Sequence, residues 1–204
     1  MSQLSDLPPL PKPLSSRMSQ LKLFMLLLGC KPPGRHTEQH DIFFGIATSL
    51  DELVPEIKAF WPQPDGIHID AWREVNSVKN YRISVSTKQD NAVANQQKLF
   101  FVNLGGYLPN RFEEQHYVVL TVKANRAAAF KEAKETLFYQ HNGFEGANSH
   151  IDDKYGIDVD DLYQIEDILS PEQKALYRIH IEPASNLPVD PVHLGYLKLS
   201  SLEK

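Results

Sequence analysis

An internal repeat constrains the fold of this chain more than any other feature. Shifting the sequence by 76 residues gives ten identities among the 19 positions from Lys22 to His40, where about one is expected by chance. Beyond these positions the offset grows to 90 and then to 96. Each copy of such a repeat is expected to be one supersecondary unit. The strongest matches are Lys22-Leu23-Phe24 with Lys98-Leu99-Phe100, Glu38-Gln39-His40 with Glu114-Gln115-His116, Asp70 with Asp160, and Tyr81-Arg82-Ile83 with Tyr177-Arg178-Ile179.

Each copy carries the same order of apolar patterns. A largely apolar run, Leu21 to Leu28 in the first copy, predicts a buried strand, and Asp41 to Ala47 predicts a second one. An amphipathic helical segment and two shorter strands follow, and the second copy has an insertion around residues 143–155. We therefore predict an α+β fold, a tandem duplication of a ββαββ unit. The two units would form a pseudo-twofold antiparallel sheet with helices on one face.

The repeat also sets the expected domain boundaries. Residues 1–19 are rich in Pro and Ser and predict a flexible extension, and Met-Ser-Gln-Leu at Met1 recurs at Met18, so translation could start at either. Unit one is expected over 20–90 and unit two over 96–183. A C-terminal tail over 184–204 can supply an edge strand.

Composition excludes several classes of function. The formal net charge is −5 with no basic stripe, which argues against nucleic acid as a partner. An apolar run ending at Cys30 imitates a lipoprotein export signal, but it is too short to span a bilayer, and a related run recurs in mid-chain. With one cysteine the chain cannot form an internal disulfide. We expect a cytoplasmic protein that has no membrane partner and no cofactor.

The polar residues shared by the two copies are the candidate site. Glu38 and His40 are two residues apart at a strand entrance, so both side chains can face one way for acid–base chemistry, and Arg35 could bind an anion. The alternative is structural: Arg35 pairs with Glu38, while Gln39 and His40 bond loop carbonyls. Both interpretations stay open. The second-copy counterparts are Arg111, Glu114, Gln115 and His116, and Asp70 and Arg73 complete the set of binding candidates.

No metal site is predicted. Glu-x-His is a poor metal signature by itself, and the other histidines are not shared, since Phe112 replaces His36 and Asp158 replaces His68. Cys30 becomes Gly106 in the second copy, which argues against a paired thiol mechanism.

The segment Leu28 to Asp41, followed by Phe43-Phe44-Gly45 and by His68-Ile69-Asp70-Ala71-Trp72-Arg73, resembles an uncharacterised bacterial family. That family is classified only as a domain of unknown function and has one or two copies per chain. The resemblance covers Lys22 to about Ile181 and is more specific in the first copy. It implies a bacterial origin and a site retained in copy one, but no activity.

Two functions remain. The favoured one is a non-catalytic binding or interaction protein, whose partner is an unknown protein or small molecule and which could form a homodimer. Its motivation is the lack of a recognised catalytic motif, together with the aromatic residues Tyr139, Phe144 and Tyr163. The alternative is a small-ligand protein or enzyme that uses Arg35, Glu38 and His40.

Overall fold

The computed structural model describes residues 20–61, 66–88, 96–107, 110–135 and 157–203. In these ranges the protein is α+β, and every strand pair is antiparallel. The extension predicted over 1–19, the insertion around 143–155, Tyr139 and Phe144 lie outside them. No helix in these ranges is long and apolar enough to cross a bilayer.

The first half of the chain, residues 20–88, begins with two long strands. Its helix α1 starts late: a 3-10 turn at Asp51–Leu53 comes first, and Pro55 then lies in the first helical turn, where its missing N–H breaks no helical hydrogen bond. The elements are β1 (Lys22–Cys30), β2 (Gln39–Ala47), α1 (Val54–Phe60), β3 (His68–Glu74), β4 (Ser77–Val78) and β5 (Tyr81–Thr87).

In the described part of the second half, residues 96–183, two strands, a helix and two further strands follow one another, with two short helices before the last strand. Asn125 caps α2 by accepting a hydrogen bond from Ala128 N. The elements are β6 (Lys98–Tyr107), β7 (Glu114–Lys123), α2 (Arg126–Ala133), β8 (Ile157–Gln164), α3 (Ile165–Ile168), α4 (Pro171–Leu176) and β9 (Tyr177–Pro183), and the tail adds β10 (His193–Lys198) and a 3-10 turn at Leu199–Ser201.

The described strands form three sheets. The first has the order β10-β3-β1-β2, the second β7-β6-β8, and the third β4-β5-β9. The third sheet joins the halves, since β5 pairs with β9 from Tyr81↔Pro183 to Thr87↔Tyr177.

The first two sheets face each other across a shared core, and this differs from the expected sheet with helices on one face. Leu23 and Phe44 contribute to that core from the first half, and Leu99 and Phe101 from the second. The rings of Phe44 and Phe101 meet edge to face, with their centroids 5.6 Å apart. The opposite faces pack against α1 and α2. Because β1 and β6 are apolar on both faces, each needs cover on both sides, so the helices lie on the two outer sides.

A buried and a half-buried polar side chain link the halves. Gln173 on α4 hydrogen-bonds the edge of β2: its Oε1 accepts from Ile46 N (2.9 Å), and its Nε2 donates to Ile46 O (3.0 Å) and to Glu56 (2.8 Å). Glu132 on α2 accepts hydrogen bonds from Lys79 of the first half and from Thr121.

Candidate functional site

Gly29, near the end of β1, organises the candidate site. It pairs with His40 on β2 and with His68 on β3, so the two histidines flank it on the same face of the sheet. A Cβ atom at position 29 would lie 2.5 Å from His68 Nε2 and 2.6 Å from Asp70 Oδ2. Only glycine leaves room there for both side chains.

Four side chains meet over Gly29, and we call them the histidine–carboxylate cluster: Glu38, His40, His68 and Asp70. His40 Nε2 lies 3.2 Å from Asp70 Oδ2 and 3.7 Å from Glu38 Oε2. His68 Nε2 lies 3.0 Å from Glu38 Oε1 and 3.4 Å from Asp70 Oδ1. Both imidazoles therefore face both carboxylates.

A strand irregularity lies at Asp70. The register between β1 and β3 shifts between Leu27 and Leu28, and Asp70 is the extra residue on β3. Such a bulge redirects a side chain and is common beside functional sites. Asp70 is two residues from His68, so the alternation of the strand also puts the two side chains on one face.

His68 is the buried member of the cluster, with 3% of its surface exposed. Its Nδ1 lies 3.0 Å from the carbonyl of Gly66, and since a carbonyl only accepts, Nδ1 carries the hydrogen. Its Nε2 and Asp70 Oδ2 are buried without a hydrogen-bond partner. Tyr196 on β10 covers the ring, with the two centroids 4.1 Å apart.

The other predicted residues of the first half do not join the cluster. Arg35 is exposed in the loop, where its backbone N donates to Pro32 O, and no ion pair among the described residues links it to Glu38. Gln39 Nε2 is 3.4 Å from each of two loop carbonyls. Arg73 contacts Met25 Sδ at 3.5 Å, and burial, partly opposed by the charge of Asp190, lowers the pKa of its guanidinium.

The second half has a partial counterpart. His116 pairs with Gly105 on β6, and its Nε2 lies 3.8 Å from Glu114 Oε2. On β8, Gly105 pairs with Asp158, whose backbone position corresponds to that of His68 beside Gly29. Arg111 is exposed in the loop and Gln115 is half-buried.

A cleft of about 760 Å³ opens between the facing sheets, beside the cluster. Apolar side chains from both halves form much of its wall, including Phe44, Phe60, Phe101 and Ile168. The polar side chains that line it are His40, Asp41, Asn103, His116, Asp161 and Tyr163.

The pKa values of two groups in the cleft, Asp41 and Tyr163, are raised, each in part by a neighbouring negative charge. Asp41 keeps solvent contact, but desolvation by the surrounding walls and the charge of Asp161 raise its pKa, outweighing a hydrogen bond from Ile42 N. The Tyr163 hydroxyl donates to Asp161 at 3.2 Å. The charge of Asp161 and this hydrogen bond raise the pKa of Tyr163, against the opposing effect of Arg126. The negative charges of Asp41 and Asp161 therefore act in one space.

Sequence reasoning missed His68, Asp41 and Asp161. His68 was set aside because Asp158 replaces it, although the pairing of Gly29 with both neighbouring strands brings His68 to His40. Asp41 and Asp161 meet only because the sheets face each other, and no local pattern predicts that.

Residues 35–85 match the family model of DUF1543, a domain of unknown function. The matched segment contains all four residues of the cluster. One similar solved structure is the crystal structure of a protein Il1583 from Idiomarina loihiensis, at 23% identity, with a TM-score of 0.58, covering 88% of this chain and 97% of that one. This likeness shows the fold. No curated protein matches the chain.

Proposed function

We propose that this chain is a small-ligand-binding protein whose ligand lies in the cleft and presents a positively charged group on an apolar body. The observation that carries the proposal is the meeting of Asp41, from β2 of the first half, and Asp161, from β8 of the second, in one cleft with apolar walls.

The apolar wall of the cleft favours a ligand whose main part is apolar. Phe60 and Tyr163 are each 42% exposed, which leaves their rings available to a guest. Ligand sites are concave and mostly apolar, with a few polar groups that fix orientation. A volume of about 760 Å³ falls within the range of about 300–1,000 Å³ that suits molecules the size of a cofactor or drug.

The carboxylates of Asp41 and Asp161 favour a ligand with a positive charge. At an effective dielectric constant of about 20, a unit charge 5 Å from a carboxylate interacts with it by about 3 kcal/mol before desolvation is counted. A cation also gains from the aromatic faces. Anion binding at Arg35, Glu38 and His40, the earlier alternative, loses support because two carboxylates surround His40 and Arg35 lies apart from them.

A matched set of probes tests the charge. Phenethylamine, 2-phenylethanol and 3-phenylpropionate share a phenyl ring and differ in the charge of the tail. Calorimetric titration of the full chain should rank the amine first, about tenfold tighter than the alcohol, with the acid weakest; a tenfold ratio is about 1.4 kcal/mol.

Two variants locate the binding. Asp161→Asn should weaken the amine about tenfold and leave the alcohol unchanged. Asp167→Asn removes the same charge from the exposed surface of α3 and should change neither. Equal affinities for all three probes, or equal effects of both variants, would refute the proposal.

Self-association is a second candidate function, favoured by the edge strand β10. Leu194 is 82% exposed, Tyr196 62%, and β10 is the outermost strand of its sheet. An open edge can pair antiparallel with the same edge of a second copy about a twofold axis. Light scattering over a range of concentrations should then show a dimer that Leu194→Lys abolishes, and a monomer throughout would exclude it.

We also infer that the chain is a tandem duplication in a bacterial, cytoplasmic protein. The strand registers support the duplication. Lys22↔Ala47 on β1 and β2 corresponds to Lys98↔Lys123 on β6 and β7, both shifted by 76. The register of β6 with β8 shifts between Asn103 and Leu104, the counterpart of the irregularity beside Asp70. The single cysteine, which is buried and cannot form an internal disulfide, supports a reducing compartment.

A further inference from the structure

We propose that the histidine–carboxylate cluster binds one divalent transition-metal ion of the Zn²⁺ class. The ligands would be the two histidine Nε2 atoms and the carboxylates of Glu38 and Asp70. Imidazole and carboxylate together suit Zn²⁺ and its neighbours in the first transition row, whereas Mg²⁺ and Ca²⁺ prefer oxygen ligands alone. This inference reverses the expectation drawn from the sequence and does not depend on the ligand in the cleft.

His68 presents Nε2 to both carboxylates from a buried position. Its Nδ1 donates to Gly66 O, so in the neutral ring Nε2 carries a lone pair. That lone pair faces Glu38 Oε1 at 3.0 Å and Asp70 Oδ1 at 3.4 Å, in a buried position where negative oxygens repel it. A cation on Nε2 turns this repulsion into attraction.

The hydrogen bonding of His68 matches that of a metal-ligating histidine. Although the oxygens are close to Nε2, none of them forms a hydrogen bond with it. A histidine that ligates a metal typically donates its other N–H to a backbone carbonyl, as His68 does to Gly66.

The spacing of the donor atoms also supports a metal ion. The four nitrogen–oxygen distances run from 3.0 to 3.7 Å. Two ligands at about 2.0–2.1 Å from a tetrahedral zinc ion are about 3.3 Å apart. The missing side chain at Gly29 keeps this volume open, since a Cβ there would occupy it.

Binding requires a small rearrangement. With the side chains as they stand, no three His, Cys, Asp or Glu residues in the described ranges are grouped to hold a metal ion. His68 is fixed by its burial and its bond to Gly66, but the side chains of Glu38 and His40 are 41% and 46% exposed and can rotate. We expect His68 and Asp70 to be the preset ligands, with His40 and Glu38 closing on the ion.

The second half supplies matched controls. Glu114 and His116 repeat Glu38 and His40 in register. The backbone position that corresponds to His68 holds Asp158 instead. Because this half lacks the second imidazole, we expect the transition metal to bind to the first half alone.

The test is calorimetric titration of tag-free, chelator-treated full-length protein with Zn²⁺. One ion per chain is expected. His40→Ala and Glu38→Gln should each weaken binding at least tenfold, and His116→Ala and Glu114→Gln should change it less than twofold. Co²⁺ should give visible absorption bands typical of low coordination number, and His40→Ala should alter them.

The absence of binding by Zn²⁺, Co²⁺ and Mn²⁺ would overturn the proposal, and so would tight binding that survives the double variant Glu38→Gln/His40→Ala. Melting temperatures measured in chelator should be equal for all four single variants, which would exclude a folding defect as the cause of lost affinity. Phenethylamine titrations in chelator test the cleft independently, so either proposal can fail alone.

Discussion

Gly29→Ala should destabilise the protein, although alanine is ordinarily the better strand residue. Inside a strand, replacing glycine by alanine stabilises by about 0.5–1 kcal/mol where there is space. Here the new methyl group would lie 2.5 Å from His68 Nε2 and 2.6 Å from Asp70 Oδ2. The His68 ring is buried and hydrogen-bonded to Gly66, so it cannot simply swing away.

The magnitude follows from these two opposing effects. Forcing an extra carbon into a packed site costs about 1–3 kcal/mol. After the backbone gain is subtracted, Gly29→Ala should lose about 1–2 kcal/mol of unfolding free energy. Urea unfolding followed by the fluorescence of Trp72, on the adjacent strand β3, measures this. With a slope of about 2 kcal/mol per molar urea, the midpoint should fall by about 0.5–1 M.

A double-mutant cycle identifies the cause. Asp70→Ala removes one of the two atoms that the new methyl group would strike. The double variant Gly29→Ala/Asp70→Ala should therefore lose at least about 0.5 kcal/mol less than the two single losses added together. A Gly29→Ala protein as stable as wild type, or strict additivity in the cycle, would refute the crowding of Gly29.

Three further substitutions test other contacts. Gln173→Ala leaves the buried N–H and C=O of Ile46 unpaired and should cost about 2–4 kcal/mol in urea unfolding, against less than about 0.5 kcal/mol for the control Gln164→Ala, whose side-chain hydrogen bond is exposed. Burial opposes ionisation of Glu132, but hydrogen bonds from Lys79, Thr121 and Lys123 outweigh it and lower its pKa below 4.5. The stability that its ionised form provides is therefore present above pH 4.5 and is lost as the pH falls through the lowered pKa, so the melting-temperature gap between wild type and Glu132→Gln should be full at pH 7 and shrink in acid; a constant gap would contradict this. Asn125→Ala removes the cap of α2 and should cost about 1 kcal/mol, with Asn125→Asp retaining most of it in the same assay.

The local elements of this fold were predictable, because they follow from patterns within short segments. The apolar run that predicted β1 lies in that strand from Lys22 onward, the run that predicted β2 lies wholly in β2, and the mixed α+β composition is confirmed. The packing of the sheets was not predictable in the same way. Leu23 and Phe24 are equally apolar, so the sequence cannot tell which of them faces the other sheet and which faces a helix.

The site was predictable only in part. Glu38 and His40 stood out because both copies contain them, and they lie in the cluster. His68 did not stand out, because the repeat draws attention to residues that both copies share, and the second copy has Asp158 at the position of His68. A site held by one half is invisible to any rule that requires symmetry, and Asp41 and Asp161 become neighbours only when the two halves pack together.

The ladder between β5 and β9 has a consequence for how a guest could enter. Seven residue pairs tie the halves together through their backbones, from Tyr81↔Pro183 to Thr87↔Tyr177. Rotating the two halves apart to widen the cleft would break hydrogen bonds of that ladder and separate the rings of Phe44 and Phe101. Among the described residues this ladder resists separation of the halves, so the cleft should select guests by shape, with scattering profiles that superimpose before and after binding.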